Sequence, residues 1–191
     1  MILHTPRLLL RPFLATDGPA IHAYASDPEV VTHLEWGPNT LEDTETHLRE
    51  TLKNQRSDNR NFPFAIVLKP DSGTVFEEGR TPFLEGQLVG SCHLFVENPD
   101  LREAWIGYVL NRKSWGQGIM TEAARAILAF GFKESGLHRI TATCRPENLG
   151  SQRVLEKIGM TREGHLRQHK WMKGQWRDSY LYAILEGEME R

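Results

Sequence analysis

The segment Ile106–Thr121, IGYVLNRKSWGQGIMT, restricts what this chain can fold into more than any other. An apolar strand pattern runs into a turn that holds Gly116 and Gly118, and a helical pattern starts at once. The first N–H groups of a helix have no partner within the helix, and the helix dipole adds partial positive charge there. Glycines let an anion approach that backbone closely, so such a junction suits pyrophosphate, with Arg112 and Lys113 adding charge. A plain tight turn is the competing reading. A dinucleotide-binding turn would need a third glycine where Thr121 stands and an acid ending the next strand, whereas Glu134 ends the helix. A Walker-type loop would need a Gly-Lys-Ser/Thr ending, which is absent.

Strand and helix patterns alternate on both sides of this junction. Strands are expected at Arg7–Phe13, Phe62–Leu68, Gln87–Val96, Glu103–Leu110 and Arg139–Cys144. A final hairpin is expected from His165–Lys170 and Asp178–Leu185 around Lys173-Gly174. A short helix ends at Ser26, before Asp27-Pro28, and a helical turn covers Glu29–Leu34. Thr40 with Asp43 forms a capping box for a helix to about Gln55. Gly116–Phe132 carries a wide apolar stripe at helical spacing. Asn148–Ile158 is a helix closed by Gly159. Asp71–Gly86 reads as a long surface loop. The order is β-α-α-β-β-β-α-β-α-β-β. It predicts an α/β (α+β) fold in which a mixed, mostly antiparallel sheet carries helices on both faces, with residues 1–191 as a single domain.

Composition excludes several classes. With 23 Lys plus Arg against 25 Asp plus Glu, net charge is −2, which is not that of a polyanion-coating protein. No stretch reaches the roughly 18 apolar residues of a membrane span, and the N-terminus lacks a cleavage site. The only cysteines, Cys92 and Cys144, form no disulfide framework and read as small buried residues. The chain therefore reads as cytoplasmic, with no membrane partner. His165 and His169 would stand about 13 Å apart on a strand, so no metal site is expected. His165–Arg177, HLRQHKWMKGQWR, mixes cations and aromatics but reads as a hairpin rather than a direct nucleic-acid contact.

Lys113-x-x-Gly116-x-Gly118 with Thr121-Glu122-Ala123 resembles the acetyl-CoA loop of the GNAT superfamily of N-acetyltransferases. Arg145-Pro146-Glu147-Asn148-Leu149-Gly150-Ser151 and Val154–Met160 resemble its second motif. TPRLLLRPF at the start, Glu35–Thr40 (EWGPNT) and the closing EGHLR…GQWRDSYLYAIL are similar to the branch of ribosomal-protein N-terminal acetyltransferases. Lys113 stands where Gln or Arg is usual, Met160 where Phe is, and Leu155 where many relatives carry a Tyr acid.

The resemblance implies a fold whose splayed central strands, Ile106–Leu110 and Arg139–Cys144, admit the pantetheine arm of acetyl-CoA. Val109, Leu110, Arg112, Lys113, Trp115, Gly116, Gln117, Gly118, Met120, Thr121, Asn148 and Ser151 would bind it, with a backbone N–H near Val109 facing the thioester oxygen. Ser151 is the candidate acid at the sulfur. Glu103 is the candidate base, and Glu35 a second one. Glu35, Trp36 and Trp105 would wall the acceptor site. The expected reaction is direct attack of a primary amine on acetyl-CoA in a ternary complex, without a metal. A covalent route through Cys144 is the minor alternative. An N-terminal amine, with pKa about 7.7–8.0, is partly neutral at cellular pH and needs less of a base than a lysine near 10.4. A ribosomal-protein N-terminus is therefore the leading acceptor. A small-molecule amine acceptor and a non-catalytic acyl-CoA-binding module are the alternatives, and homodimers are frequent in the family.

Overall fold

A computed structural model describes residues 1–57, 60–70 and 86–189. Its strands are β1 (Leu3–His4), β2 (Leu8–Arg11), β3 (Asn61–Leu68), β4 (Gln87–Asn98), β5 (Glu103–Leu110), β6 (Arg139–Cys144), β7 (Thr161–Met172) and β8 (Gln175–Leu185). Its helices are α1 (Gly18–Ala25), α2 (Leu41–Ser57), α3 (Ile119–Lys133) and α4 (Leu149–Lys157). The eight strands form one sheet in the order β1-β2-β3-β4-β5-β6-β8-β7. Every pairing is antiparallel except β5 with β6, which is parallel. The expected loop from Asp71 lies outside the described residues, apart from Gly86.

Strand alternation sorts the core into two layers. Leu8, Leu10, Phe64 and Ile66 face α3 and α4, while Leu9, Ala65 and Val67 face α1, α2 and the 27–34 turn. A strand covered on both faces reads as an unbroken apolar run, which is why Leu8-Leu9-Leu10 has no polar member. Every position of β2 is buried, and its last residue is charged. Arg11 meets Asp17 bidentately, Nη1–Oδ2 and Nη2–Oδ1 both 2.8 Å, and Asp17 also accepts the Leu14 N–H at 2.8 Å. This buried pair fixes the turn that leads from β2 into α1.

Two features lie beyond the sequence reading. β1 adds an edge strand through Leu3↔Leu10, too short to show a period. The β7–β8 hairpin is longer than expected because pairs such as Lys170↔Arg177 and Trp171↔Trp176 extend it. Most of β7 is exposed, so cross-strand bonding rather than an apolar face defines its ends. Among the described residues no helix is long and apolar enough to cross a membrane.

Candidate functional site

β5 and β6 are bonded only at Glu103↔Arg139, Ala104↔Ile140 and Trp105↔Thr141, and the ladder then stops. Both strands continue, so Ile106–Leu110 and Ala142–Cys144 border a gap within the sheet. The gap opens into a cavity of about 830 Å³ lined by both strands, Arg145, Asn148 and Ser151. The register decides which backbone groups face it. The Asn111 N–H donates to Val89 O at 2.7 Å, and antiparallel bonding pairs repeat every second residue. Val109, opposite Ser91, therefore turns its N–H toward β4. The N–H groups of Tyr108 and Leu110, on either side of Val109, face the gap instead. Thr141 Oγ1 donating to Ala104 O at 3.3 Å fits the same parity.

Above the gap, Gly116 (φ 74°) and Gly118 (φ 73°) are both left-handed. Gly118 is the N-cap of α3 and no side chain caps it, so the first N–H groups of the helix stay available. At Gly116 a Cβ would meet nothing within 4 Å, so backbone conformation rather than crowding calls for glycine there. Gln117 Nε2 donates to Lys113 O at 2.9 Å, and Trp115 Nε1 donates to the Leu110 carbonyl at 2.8 Å. The Met120 side chain is buried in the core, so only its backbone can serve the loop.

Arg112 is bonded away from the loop. Its guanidinium meets Asp27 at 3.2 Å and Glu29 at 2.6 Å, which ties the end of β5 to the 27–34 turn. A cation from elsewhere in the chain, Arg7, lies beside the glycines: its Nη1 donates to Gln117 O at 2.9 Å while Nε meets Glu122 of α3 at 2.7 Å. Arg7 lies more than a hundred residues upstream, and only the packing of α3 against β2 brings it there.

Asn148 Oδ1 accepts the Ser151 N–H at 3.0 Å and so caps α4. This sets Ser151 on the inner wall of the gap, with its Oγ 2.9 Å from the Tyr108 hydroxyl. Tyr108, the one hydroxyl-bearing residue of β5, carries no local sequence signal of this contact. Burial pushes its phenol well above the usual range, and the bond to Ser151 opposes that only in part. Glu103 stands at the bonded end of β5, outside the cavity, with Arg139 Nε 3.1 Å from its carboxylate. Arg139 also pairs with Glu163. Glu103 is therefore a structural ion-pair member and not placed as a base.

The acetyltransferase (GNAT) domain model matches residues 7–161, a span containing the splayed strands, the glycine loop and the capped serine. The chain belongs to the GNAT acetyltransferases. An uncharacterized N-acetyltransferase, YnaD of Bacillus subtilis, is 37% identical over 188 residues, 98% of this chain and 99% of that one. The Escherichia coli ribosomal protein uS5-alanine N-acetyltransferase is 29% identical over 113 residues, 59% of this chain and 58% of that one. Among solved structures, a GNAT-family acetyltransferase from Bacillus anthracis superposes with TM-score 0.82 at 38% identity, covering 98% and 100% of the two chains. Mycobacterium smegmatis RimJ in complex with CoA-disulfide gives 0.77 at 31% identity, covering 100% and 88%.

In this GNAT chain the cavity is also rich in imidazoles. His33, His47, His93 and His169 come from the 27–34 turn, α2, β4 and β7 to line it. Burial is the main cause that holds each below the ordinary histidine pKa, His93 as far as about 4. All four are thus neutral at pH 7. Scattered through the sequence, they give no local motif. His165 and His169 take separate partners, Asp178 at 2.7 Å and Ser179 at 2.9 Å. Glu35, Trp36 and Trp105 all line the cavity, the tryptophans 41% and 40% exposed. Glu35 is held by Lys170 at 3.2 Å. The Cys144 thiol beside Ser151 is pushed up to about 11, chiefly by burial, and stays protonated near neutrality. A thiol in that state is a poor nucleophile, which weighs against the covalent route.

Proposed function

We propose that the protein transfers an acetyl group from acetyl-CoA to the α-amine at the N-terminus of a protein, by direct attack in a ternary complex. The observation that carries this reading is the gap between β5 and β6. One wall offers the N–H groups of Tyr108 and Leu110, the other holds Ser151, and an uncapped helix N-terminus lies at the end of β5. The helix N-terminus with Gly116 and Gly118, flanked by Lys113 and Arg7, suits the pyrophosphate. Tyr108, Leu110 and Asn148 would hold the pantetheine amides. Acetyl-CoA supplies the activated acyl group as a thioester.

Within the cleft, the Tyr108 hydroxyl can donate to Ser151 Oγ, which leaves the serine proton free to point into the gap. There it meets charge that develops on a departing thiolate. The neutral histidines and Glu35 provide acceptors for the proton released by the amine. None is a strong base, which suits an α-amine that is already partly neutral. The uS5-alanine N-acetyltransferase likeness supports a ribosomal protein as acceptor. A second reading, a small-molecule amine, is favoured by the way the β7–β8 hairpin closes on the acceptor side. Lys173 Nζ donates to Val31 O at 2.8 Å, and Lys170 pairs with Glu35.

Thiol release from acetyl-CoA, with Ala- or Ser-initiated peptides beside a set of small amines, tests the reading. Turnover on the peptides supports protein acetylation. Turnover on small amines alone reassigns the acceptor, and no release with any amine removes the transfer reading.

A further inference from the structure

Among the described residues two arginines are buried, and they are treated differently. Arg11, 5% exposed, has a carboxylate on two of its nitrogens. Arg145, 6% exposed, has none. Its one hydrogen bond runs from Nη1 to the carbonyl of Asp178 at 2.5 Å, and among the described residues no carboxylate reaches ion-pair distance. The nearest acids that act on it are Glu35, already committed to Lys170, and Glu147, while Arg177 repels it. Among the described residues its other nitrogens carry no protein partner and open on the cavity, and desolvation lowers its pKa against the pull of Glu35 and Glu147.

The side chain lines the same cavity as Ser151. Its position follows from the second motif, because the Arg145 carbonyl accepts the Asn148 N–H at 3.0 Å, and Asn148 in turn caps the helix that holds Ser151. Further cations, Lys173 and Arg177, act on His33 nearby. A rigid fork of donors with nitrogens to spare, opening on the cavity that Ser151 also lines, matches a planar carboxylate.

We infer that Arg145 is a specificity residue that recognises a carboxylate carried by the acceptor close to its reacting amine. This rests on the transfer reading above and narrows its substrate class. Two sources share the chemistry: a free α-amino acid, and a peptide with Asp or Glu as its first or second residue.

The test compares matched acceptors on the intact protein. Free amino acids are set against their amides, and peptides beginning Ala-Glu or Ser-Asp against Ala-Gln or Ser-Asn. The expected result is a KM roughly 10- to 100-fold lower for the carboxylate member of at least one set, at similar kcat, with the set that responds naming the source. Arg145→Gln should erase that preference, and Arg145→Lys should keep part of it. Affinity for CoA alone, measured by calorimetry without acceptor, should change less than about twofold. Equal KM values within every pair for the wild-type protein overturn the assignment and leave acetyl transfer standing. A loss of CoA affinity in Arg145→Gln also overturns it, in favour of a cofactor contact. Binding of an N-acetyl amino acid and its amide gives a readout independent of turnover. If no amine is acetylated yet the carboxylate still binds more tightly through Arg145, the transfer reading falls and the Arg145 assignment stands. If neither preference is seen, the assignment falls as well.

Discussion

Replacing Tyr108 by Phe removes one oxygen atom from the inner wall of the cleft. That oxygen lies 2.9 Å from Ser151 Oγ and 3.3 Å from the Ser151 carbonyl, so it can direct its proton to either. When it donates to Oγ, the serine proton must point elsewhere, and the gap is the open direction. Without it the serine hydroxyl can turn back onto a carbonyl of its own helix. The structural cost is small, because one hydrogen bond is lost and cleft water can replace it: about 1 kcal/mol of stability. The chemical cost is larger if Ser151 serves the leaving thiolate. Misdirecting that proton should lower kcat by roughly 10- to 100-fold, or about 1.4 to 2.7 kcal/mol of barrier, with little change in KM for acetyl-CoA. Thiol release at saturating co-substrates, with chemistry limiting the rate, measures this. Ser151→Ala should lose at least as much, and the double variant should be no worse than Ser151→Ala alone, because the pair acts as a unit. Fully additive losses would refute the coupling, and an unchanged kcat in Ser151→Ala would remove both residues from proton delivery.

Three other perturbations probe separate parts of the structure. Arg7→Ala should weaken CoA binding more than Arg112→Ala does, since Arg7 flanks the glycines and Arg112 is occupied by Asp27 and Glu29; equilibrium titration of both variants decides it. Asp17→Ala strands the buried Arg11 guanidinium and should cost about 3–5 kcal/mol in denaturant unfolding, whereas an exposed pair such as Arg102–Glu186 should cost under about 1 kcal/mol. His93 is held at about 4 against 6.5 when unfolded, so between these values the unfolded chain binds the extra proton and stability rises with pH. Its contribution, up to about 3 kcal/mol, is complete above pH 6.5 and lost as pH falls toward 4. His93→Gln should flatten that part of the stability profile, and an unchanged profile would contradict the assignment.

The elements that position the site could be read from the sequence because their signals are local. Gly116 and Gly118 need positive φ, Asn148 needs the cap position, and the apolar stripe of α3 needs a sheet beneath it. The histidines of the cavity have no such local signal. His33, His47, His93 and His169 come from four separate elements and meet only after the sheet is assembled. Proximity in sequence points to Arg112 and Lys113 as the charge beside the glycine loop, yet tertiary packing pairs Arg112 with two acids and brings Arg7 to the loop. Which N–H near Val109 faces the gap depends on strand parity, and parity is set by the β4–β5 register, which no single strand encodes. Glu103 looked like a base because its place along β5 was known but its partner Arg139 was not.

Backbone amide exchange at β5, followed by NMR with and without CoA, tests most directly whether the gap between β5 and β6 receives the cofactor arm. The N–H groups of Tyr108 and Leu110 face the gap, whereas that of Val109 is already bonded to β4. The expected result is strong slowing of exchange at Tyr108 and Leu110 on CoA binding, with Val109 slow in both states. CoA binding that leaves Tyr108 and Leu110 unprotected would contradict the placement of the cofactor in this cleft.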